Sequence, residues 1–298
     1  MTKKTISFII NPISGTHKKD SWPEIIRQTI DSSRFDIRIY FSEREGHASE
    51  LALRQVEKGV KYIVAVGGDG TVNEVAKSLR DTPAAMGIVP CGSGNGLARH
   101  LHIPLKLTDA LRLINNASVI NIDYGLVNDM PFFCTFGTGF DARISHVFAK
   151  AKKRGFWTYL RLIIKEFFSY RSEKYKLKVD DNTLKTEAIL LTVANSAQYG
   201  NNGYISPRAD ITDGKLDVCI VRPVSKFRAA FLAVRLLRKS IDKSSFYHTI
   251  RGEKITIRRK HEGEVHLDGN PYMMEKKLKV TIVPKGLKVL VNMDFIHH

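Results

Sequence analysis

Cysteine is scarce in this sequence: Cys91, Cys134 and Cys219 are the only three in 298 residues, and their spacing matches no metal-binding motif. An odd, scattered set excludes a disulfide framework and a zinc ribbon. It reads as reduced thiols in a cytoplasmic protein, with Cys91 a small buried filler. Long apolar runs are also missing. No stretch reaches the roughly 18 residues a spanning helix needs, although 43% of the chain is apolar, an ordinary share for a globular protein. Met1-Thr2-Lys3-Lys4-Thr5 leads straight into Ile6–Ile10, an apolar run too short for a secretory leader. Neither G-x-G-x-x-G nor a Gly-Lys-Ser/Thr P-loop occurs, and there is no internal repeat or low-complexity segment. Acid is in deficit: 30 Asp and Glu face 47 Lys and Arg, a net charge of +17. No recognised RNA- or DNA-binding module accompanies that charge, so nucleic acid is not an expected partner.

What the chain does have is glycine at the ends of strands. Tyr62–Val66 reads as a short buried strand running through Gly67-Gly68-Asp69-Gly70-Thr71 into a helix over Val72–Leu79. Glycines without Cβ let backbone amides approach a bulky anion, and a helix N-terminus offers unpaired N–H groups and partial positive charge. Asp69 repels phosphate, so its expected task is to hold a divalent cation through water or to orient a neighbouring donor. Thr71 and Glu74 have the spacing of a capping box. A second strand, Ala85–Val89, leads through Pro90-Cys91-Gly92-Ser93-Gly94-Asn95-Gly96 into a helical Leu97–Leu101. A third, Ile6–Ile10, ends in Asn11-Pro12-Ile13-Ser14-Gly15. Three such loops suit a crevice at the carboxyl edge of a parallel sheet.

Up to about Asp123 strand and helix alternate: helices over Trp22–Ile30, Ala48–Lys58 and Thr108–Asn115 join the units above, with a strand at Asp36–Phe41. That order predicts a doubly wound, Rossmann-like parallel sheet over residues 1–125. Beyond it the pattern becomes hairpin-punctuated strands, predicting an antiparallel β-sandwich over residues 126–298. The strands are expected at Phe132–Phe136, Lys174–Val179, Ala188–Ala194, Leu216–Val221, Lys254–Arg258, Glu264–Leu267, Lys277–Val283 and Leu287–Val291.

Positive charge is concentrated in two places. Lys150–Lys178 holds ten basic and two acidic residues around an aromatic-rich helix from Phe156 to Phe168. Such a segment suits the interfacial zone of an anionic bilayer, with Lys152, Lys153 and Arg154 as contacts, and equally a core helix with a solvated basic rim. Arg222–Lys243 holds seven basic residues and one acidic. Its stripe of Phe227, Phe231, Val234, Leu237 and Ile241 at helical spacing reads as core packing with the arginines outside.

Taken in order, Asn11-Pro-x-Ser-Gly, Gly67-Gly-Asp-Gly-Thr, Gly92-Ser-Gly-Asn and Leu267-Asp-Gly resemble the diacylglycerol kinase catalytic family, and the motifs span most of the chain. The resemblance implies a two-domain ATP-dependent lipid kinase with the nucleotide in the cleft and the final strand returning to the first domain. It places Asn11, Ser14, Ser42, Gly67, Gly68, Gly70, Thr71, Glu74, Gly92, Ser93, Gly94 and Asn95 around the nucleotide. Asp69 and Asp123 would organise Mg2+ and hydrogen bonds at the phosphates, Asp123 being otherwise an ordinary turn residue. Asp210, Asp213 and the carbonyl of Lys215 would hold a structural magnesium, or simply form a hairpin turn. Arg99 would reach a phosphate or lie on a helix surface. Asp268 would be the general base that accepts the hydroxyl proton, although Asp-Gly alone favours a β-turn. Two departures stand out: Asn270 replaces the family's usual Glu, and Gly96 stands where some bacterial members have Asp. The second favours a sphingosine- or ceramide-like acceptor over diacylglycerol. The implied partners are a lipid substrate, an anionic membrane surface and a second copy of the chain. The alternatives are a kinase of soluble NAD and a non-catalytic nucleotide or lipid sensor.

Overall fold

The computed structural model describes residues 3–15, 19–151, 156–292 and 295, with side chains left out for 156–160. It divides into one unit of residues 1–122 and 285–298 and a second of residues 123–284.

In the first unit, strands β1 (Lys4–Ile10), β2 (Phe35–Phe41), β3 (Tyr62–Gly67) and β4 (Ala85–Pro90) alternate with helices α1 (Trp22–Thr29), α2 (His47–Glu57), α3 (Asp69–Leu79), α4 (Gly96–His100) and α5 (Leu107–Asn115). The strands pair in parallel in the order β2-β1-β3-β4. Lys288 and Val289, near the chain's end, continue the sheet in parallel beside Ala85 and Met86. Ile6, Phe8, Val64 and Val66 are fully buried, as a sheet covered on both faces requires. The order reverses beside β1 and β3, so the loops after these strands and after β4 sit at one carboxyl edge.

The second unit opens with β5 (Ser118–Val127), β6 (Met130–Phe132), β7 (Thr135–Gly139), α6 (Phe140–Ala149) and α7 (Phe156–Ser169). Next come β8 (Glu173–Val179), β9 (Asn182–Ala188), β10 (Leu190–Ala194), β11 (Leu216–Val221) and α8 (Lys226–Leu237). The strands β12 (Tyr247–Gly252), β13 (Lys254–Arg258), β14 (Gly263–Leu267), β15 (Asn270–Met274) and the part of β16 (Lys277–Val291) up to residue 284 complete it. One antiparallel sheet runs β12-β11-β10-β7-β14-β15. A second is built from the first part of β16 with β13, β8 and β9. Phe132, Phe136, Val193 and Val218 meet Leu177, Ile257, Leu278 and Val280 between the two sheets. Each such side chain contributes about 1.5–3 kcal/mol by leaving water.

Several sequence expectations need correction. Residues 277–291 form one strand rather than two, and β9, β15 and α6 add elements where none was expected. The strand foreseen at Phe132–Phe136 is split: β6 ends at Phe132 and β7 starts at Thr135. The helix after β3 starts at Asp69, so Thr71 lies inside its first turn and forms no capping box. Glu74 instead caps its neighbour: its two carboxylate oxygens accept from the amides of Gly46 and Ala48, both at 3.1 Å, at the start of α2. A carboxylate there satisfies orphan amides and meets the positive end of the helix. Glu74→Ala should therefore lower stability by about 1–2 kcal/mol in denaturant titration, with α2 losing amide-exchange protection first.

Candidate functional site

The glycine loops of the first unit are bound to one another by side chains. Asp69 Oδ2 accepts from the amide of Asn95 at 2.8 Å and Oδ1 from that of Gly96 at 2.7 Å, so the carboxylate of one loop caps the helix that follows the other. Space is made for this by missing Cβ atoms. A Cβ on Gly94 would lie 2.6 Å from Asp69 Oδ2, and one on Gly92 would lie 2.8 Å from the Gly68 Cα. Asn95 closes its own loop in the left-handed conformation (φ 51°). Its Oδ1 accepts from the Gly92 amide at 3.0 Å and its Nδ2 donates to the Gly92 carbonyl at 2.7 Å. Arg99 Nε donates to the Gly94 carbonyl at 3.0 Å, a brace on this loop. Ser93 is exposed, and a Cβ on Gly70, in the first turn of α3, would meet nothing within 4 Å. Glycine there is dictated by no protein neighbour, and it leaves the helix N-terminus open to a bulky anion.

The first loop joins the same cluster. Asn11 Nδ2 donates to Thr71 Oγ1 at 3.0 Å, and Ser14 Oγ donates to the Asn11 carbonyl at 3.0 Å and lies 3.3 Å from Cys91 Sγ. A Cβ on Gly15 (φ 71°) would fall 2.1 Å from the Cys91 carbonyl oxygen. Ser42 is buried, its amide donating to the Ile10 carbonyl at 2.9 Å. Sequence reading missed Lys19, a buried ammonium that donates to the Pro12 and Ser14 carbonyls and, at 3.0 Å, to Ser14 Oγ. Burial pushes its pKa down. Thus Asn11, Ser14, Gly67, Gly68, Asp69, Gly70, Thr71, Gly92, Gly94 and Asn95 come together, whereas Glu74 is spent on α2.

The second unit gathers the others. Asp268 and Gly269, with φ of 49° and 81°, are the two-residue turn between β14 and β15, as Asp-Gly favours. The Asp268 carboxylate also folds back onto the start of β7. Oδ2 accepts from the Phe133 amide at 2.9 Å, and Oδ1 from the amides of Cys134 at 2.7 Å and Thr135 at 3.0 Å. Desolvation raises its pKa above the usual carboxylate range, and those three amides oppose the rise. Asn195, which the sequence gave no reason to single out beyond its place at a strand end, links Asp123 to the segment that holds Asp268. Its Nδ2 donates to the carbonyl of Asp123 at 2.9 Å and to that of Phe133 at 2.8 Å. Asp123 is fully buried, and its Oδ2 accepts from the Gly214 amide at 2.7 Å, anchoring the loop that carries Asp210 and Asp213. Two residues before Asp268 on the same strand, His266 Nε2 lies 3.1 Å from Asp141 Oδ2, which also accepts from Thr192 Oγ1 at 2.6 Å.

The Asp210–Lys215 loop is poorly suited to a cation. Asp210 Oδ1 accepts from the amide and hydroxyl of its own Thr212, at 2.9 and 2.7 Å, and Asp213 Oδ1 from the Lys215 amide at 2.9 Å. Asp213 Oδ2 pairs with Arg251, whose Nε donates at 3.0 Å to Asp217, directly opposite on β11. Among the described residues no group of three His, Cys, Asp or Glu side chains could hold a metal ion. In the expected set of Asp210, Asp213 and the Lys215 carbonyl, both carboxylates are engaged within the protein, Asp213 with the Arg251 guanidinium. A chelator should leave the thermal unfolding of the nucleotide-free protein unchanged, while Arg251→Ala should cost about 1–2 kcal/mol by unpairing Asp217. A fall in melting temperature with chelator would restore the metal at this loop. Lys152, Lys153 and Arg154, expected as membrane contacts, lie outside the described residues.

This architecture and loop set have clear counterparts. The diacylglycerol kinase catalytic domain matches residues 5–127, and the YegS C-terminal NAD kinase beta sandwich-like domain matches residues 134–291. The chain is 28% identical over 248 residues to a Chromohalobacter salexigens protein named "Probable lipid kinase YegS-like", covering 81% of this chain and 79% of that one. It is 23% identical to a diacylglycerol kinase of Staphylococcus saprophyticus, covering 90% and 89%. The crystal structure of a diacylglycerol kinase from Bacillus anthracis shares the fold with a TM-score of 0.77 at 21% identity over 98% of each chain. An NAD kinase from Archaeoglobus fulgidus, solved with ATP, is more remote: TM-score 0.55 at 12% identity, over 98% of this chain and 96% of that one. With both of its halves matched, the chain belongs to the diacylglycerol kinase family of YegS-like lipid kinases.

Proposed function

We propose that this kinase transfers the γ-phosphate of ATP to the hydroxyl of a membrane lipid, diacylglycerol or a sphingosine- or ceramide-like alcohol. The observation that carries the nucleotide half is the trio of interlocked loops. Their amides, with the open first turn of α3 at Gly70, form a phosphate cradle of the kind helix N-termini provide. Asp69 acts through that cradle, holding Asn95 and Gly96 rather than touching phosphate. Magnesium, in this reading, arrives with the nucleotide as part of the substrate.

Asp268 is the candidate base. Its carboxylate is fixed by three amides and its proton affinity is raised by desolvation, so it is oriented and basic enough to take a hydroxyl proton during transfer. Asn270, on the first position of β15, has an amide where a carboxylate is usual. An amide brings no second negative charge, which leaves Asp268 to act without a carboxylate at that position. The diacylglycerol kinase catalytic match over residues 5–127 and the YegS-like lipid-kinase relative favour a lipid acceptor over NAD, whose kinase shares only the fold.

Asp268→Asn should reduce label transfer from γ-labelled ATP by about 10²-fold or more while leaving ATP affinity within about twofold by calorimetry. Retained turnover would remove Asp268 from the base role. Equal loss of ATP affinity would make it a structural residue.

A further inference from the structure

Of the stripe that reads as core packing in the sequence, Ile241 is buried beyond the end of α8, but the four residues on α8 itself are on the surface. Phe227, Phe231, Val234 and Leu237 are 91%, 64%, 44% and 54% exposed, while on the opposite side Leu232 is buried. Four large apolar side chains on one helix face form a patch, which single exposed residues do not. The charge around them is of one sign. Residues 222–243 carry seven Lys and Arg, and the single acid, Asp242, is paired with Arg208 at 3.1 Å. These cations lie against the aromatics: Arg235 is 5.4 Å from the centre of the Phe231 ring, Arg228 is 5.1 Å from that of Phe246, and Lys226 is 4.7 Å from that of Phe168. The last contact joins α8 to α7, whose Ile164 and Phe168 are 53% and 58% exposed. The other side of α7 is fixed inward by Phe167 against Phe140 and by Glu166 on Arg143 at 2.9 Å.

We propose that the exposed α7–α8 face is the surface by which this protein docks on an anionic lipid bilayer. Phe227, Phe231 and Phe168 would enter the boundary between head groups and acyl chains, and the flanking Lys and Arg would rest on lipid phosphates. A bilayer offers anions in one layer and hydrocarbon directly beneath, which matches a helix face that is apolar along its centre and cationic at its margins. An acidic protein would answer the charge but leaves the row of aromatics without a pocket argued from anything in this surface. This deepens the lipid-kinase reading, on which it rests for its purpose, by naming the element that meets the membrane.

The test is sedimentation of the full chain with phosphatidylglycerol–phosphatidylcholine vesicles, without nucleotide or lipid acceptor. The wild type should bind, more weakly as salt is raised, and weakly to phosphatidylcholine alone. Phe227→Ser with Phe231→Ser should lower the partition coefficient roughly tenfold or more at unchanged thermal unfolding. Lys226→Gln with Arg228→Gln should flatten the salt dependence. Equal binding by the Phe variant, no binding by the wild type, or binding to polyglutamate in place of vesicles would each overturn the proposal. Phosphorylation of a lipid dispersed in detergent micelles is read separately. Its retention in the Phe variant supports docking, its loss there in a folded variant contradicts it, and its absence from the wild type strikes the kinase reading alone.

Discussion

The hydrogen bonds from the Asn95 and Gly96 amides to the Asp69 carboxylate are what the glycine loops of the first unit depend on. A carboxylate accepting backbone N–H at a helix start is a charge-assisted contact, and it needs the two loops nearly touching. Gly68 facing Gly92, and Gly94 beneath Asp69, are the condition for that approach. The other polar residues of the cluster extend the same device. Asn95 closes its own loop, Asn11 ties the first loop to Thr71, and Lys19 holds Ser14.

The second unit solves its problem in the same way. Asp123, Asp180 and Asp268 each use their carboxylates to hold backbone amides of a neighbouring loop or strand. At Asp268 the same fixing is what the proposed base role would use, because an oriented and desolvated carboxylate is a better base than a solvated one. At Asp213 the carboxylate is shared between the Lys215 amide and the Arg251 guanidinium. Asn195 connects the Asp123 and Phe133 carbonyls, so the segment that grips Asp268 is itself held in place.

Glycine at strand ends and alternating apolar patterns made the parallel sheet, the three loops and the antiparallel half legible in the sequence. These signals are local, and the structure keeps them. What was not legible depended on which surface a segment faces or on partners far along the chain. Glu74 looked like half of a capping box because Thr71 stands three residues before it, yet its partners are Gly46 and Ala48. Phe227 and Phe231 share the spacing of a core helix, and periodicity cannot say whether the apolar face looks inward or out. Lys19 and Asn195 carry no motif; only the carbonyls that the fold brings to them give them a role. The Asp-Gly at 268–269 was a real turn and a candidate site at once, so the two readings were never exclusive.

The central claim, that the phosphate acceptor is a lipid hydroxyl, is tested most directly by one labelling experiment. The purified chain is incubated with magnesium and γ-labelled ATP against diacylglycerol, sphingosine, ceramide, phosphatidylglycerol and NAD in parallel, and the products are separated. Label in a single lipid class and none in NAD is the predicted result, and it would name the acceptor. Label in NAD alone, or ATP binding with no labelled product, would contradict it.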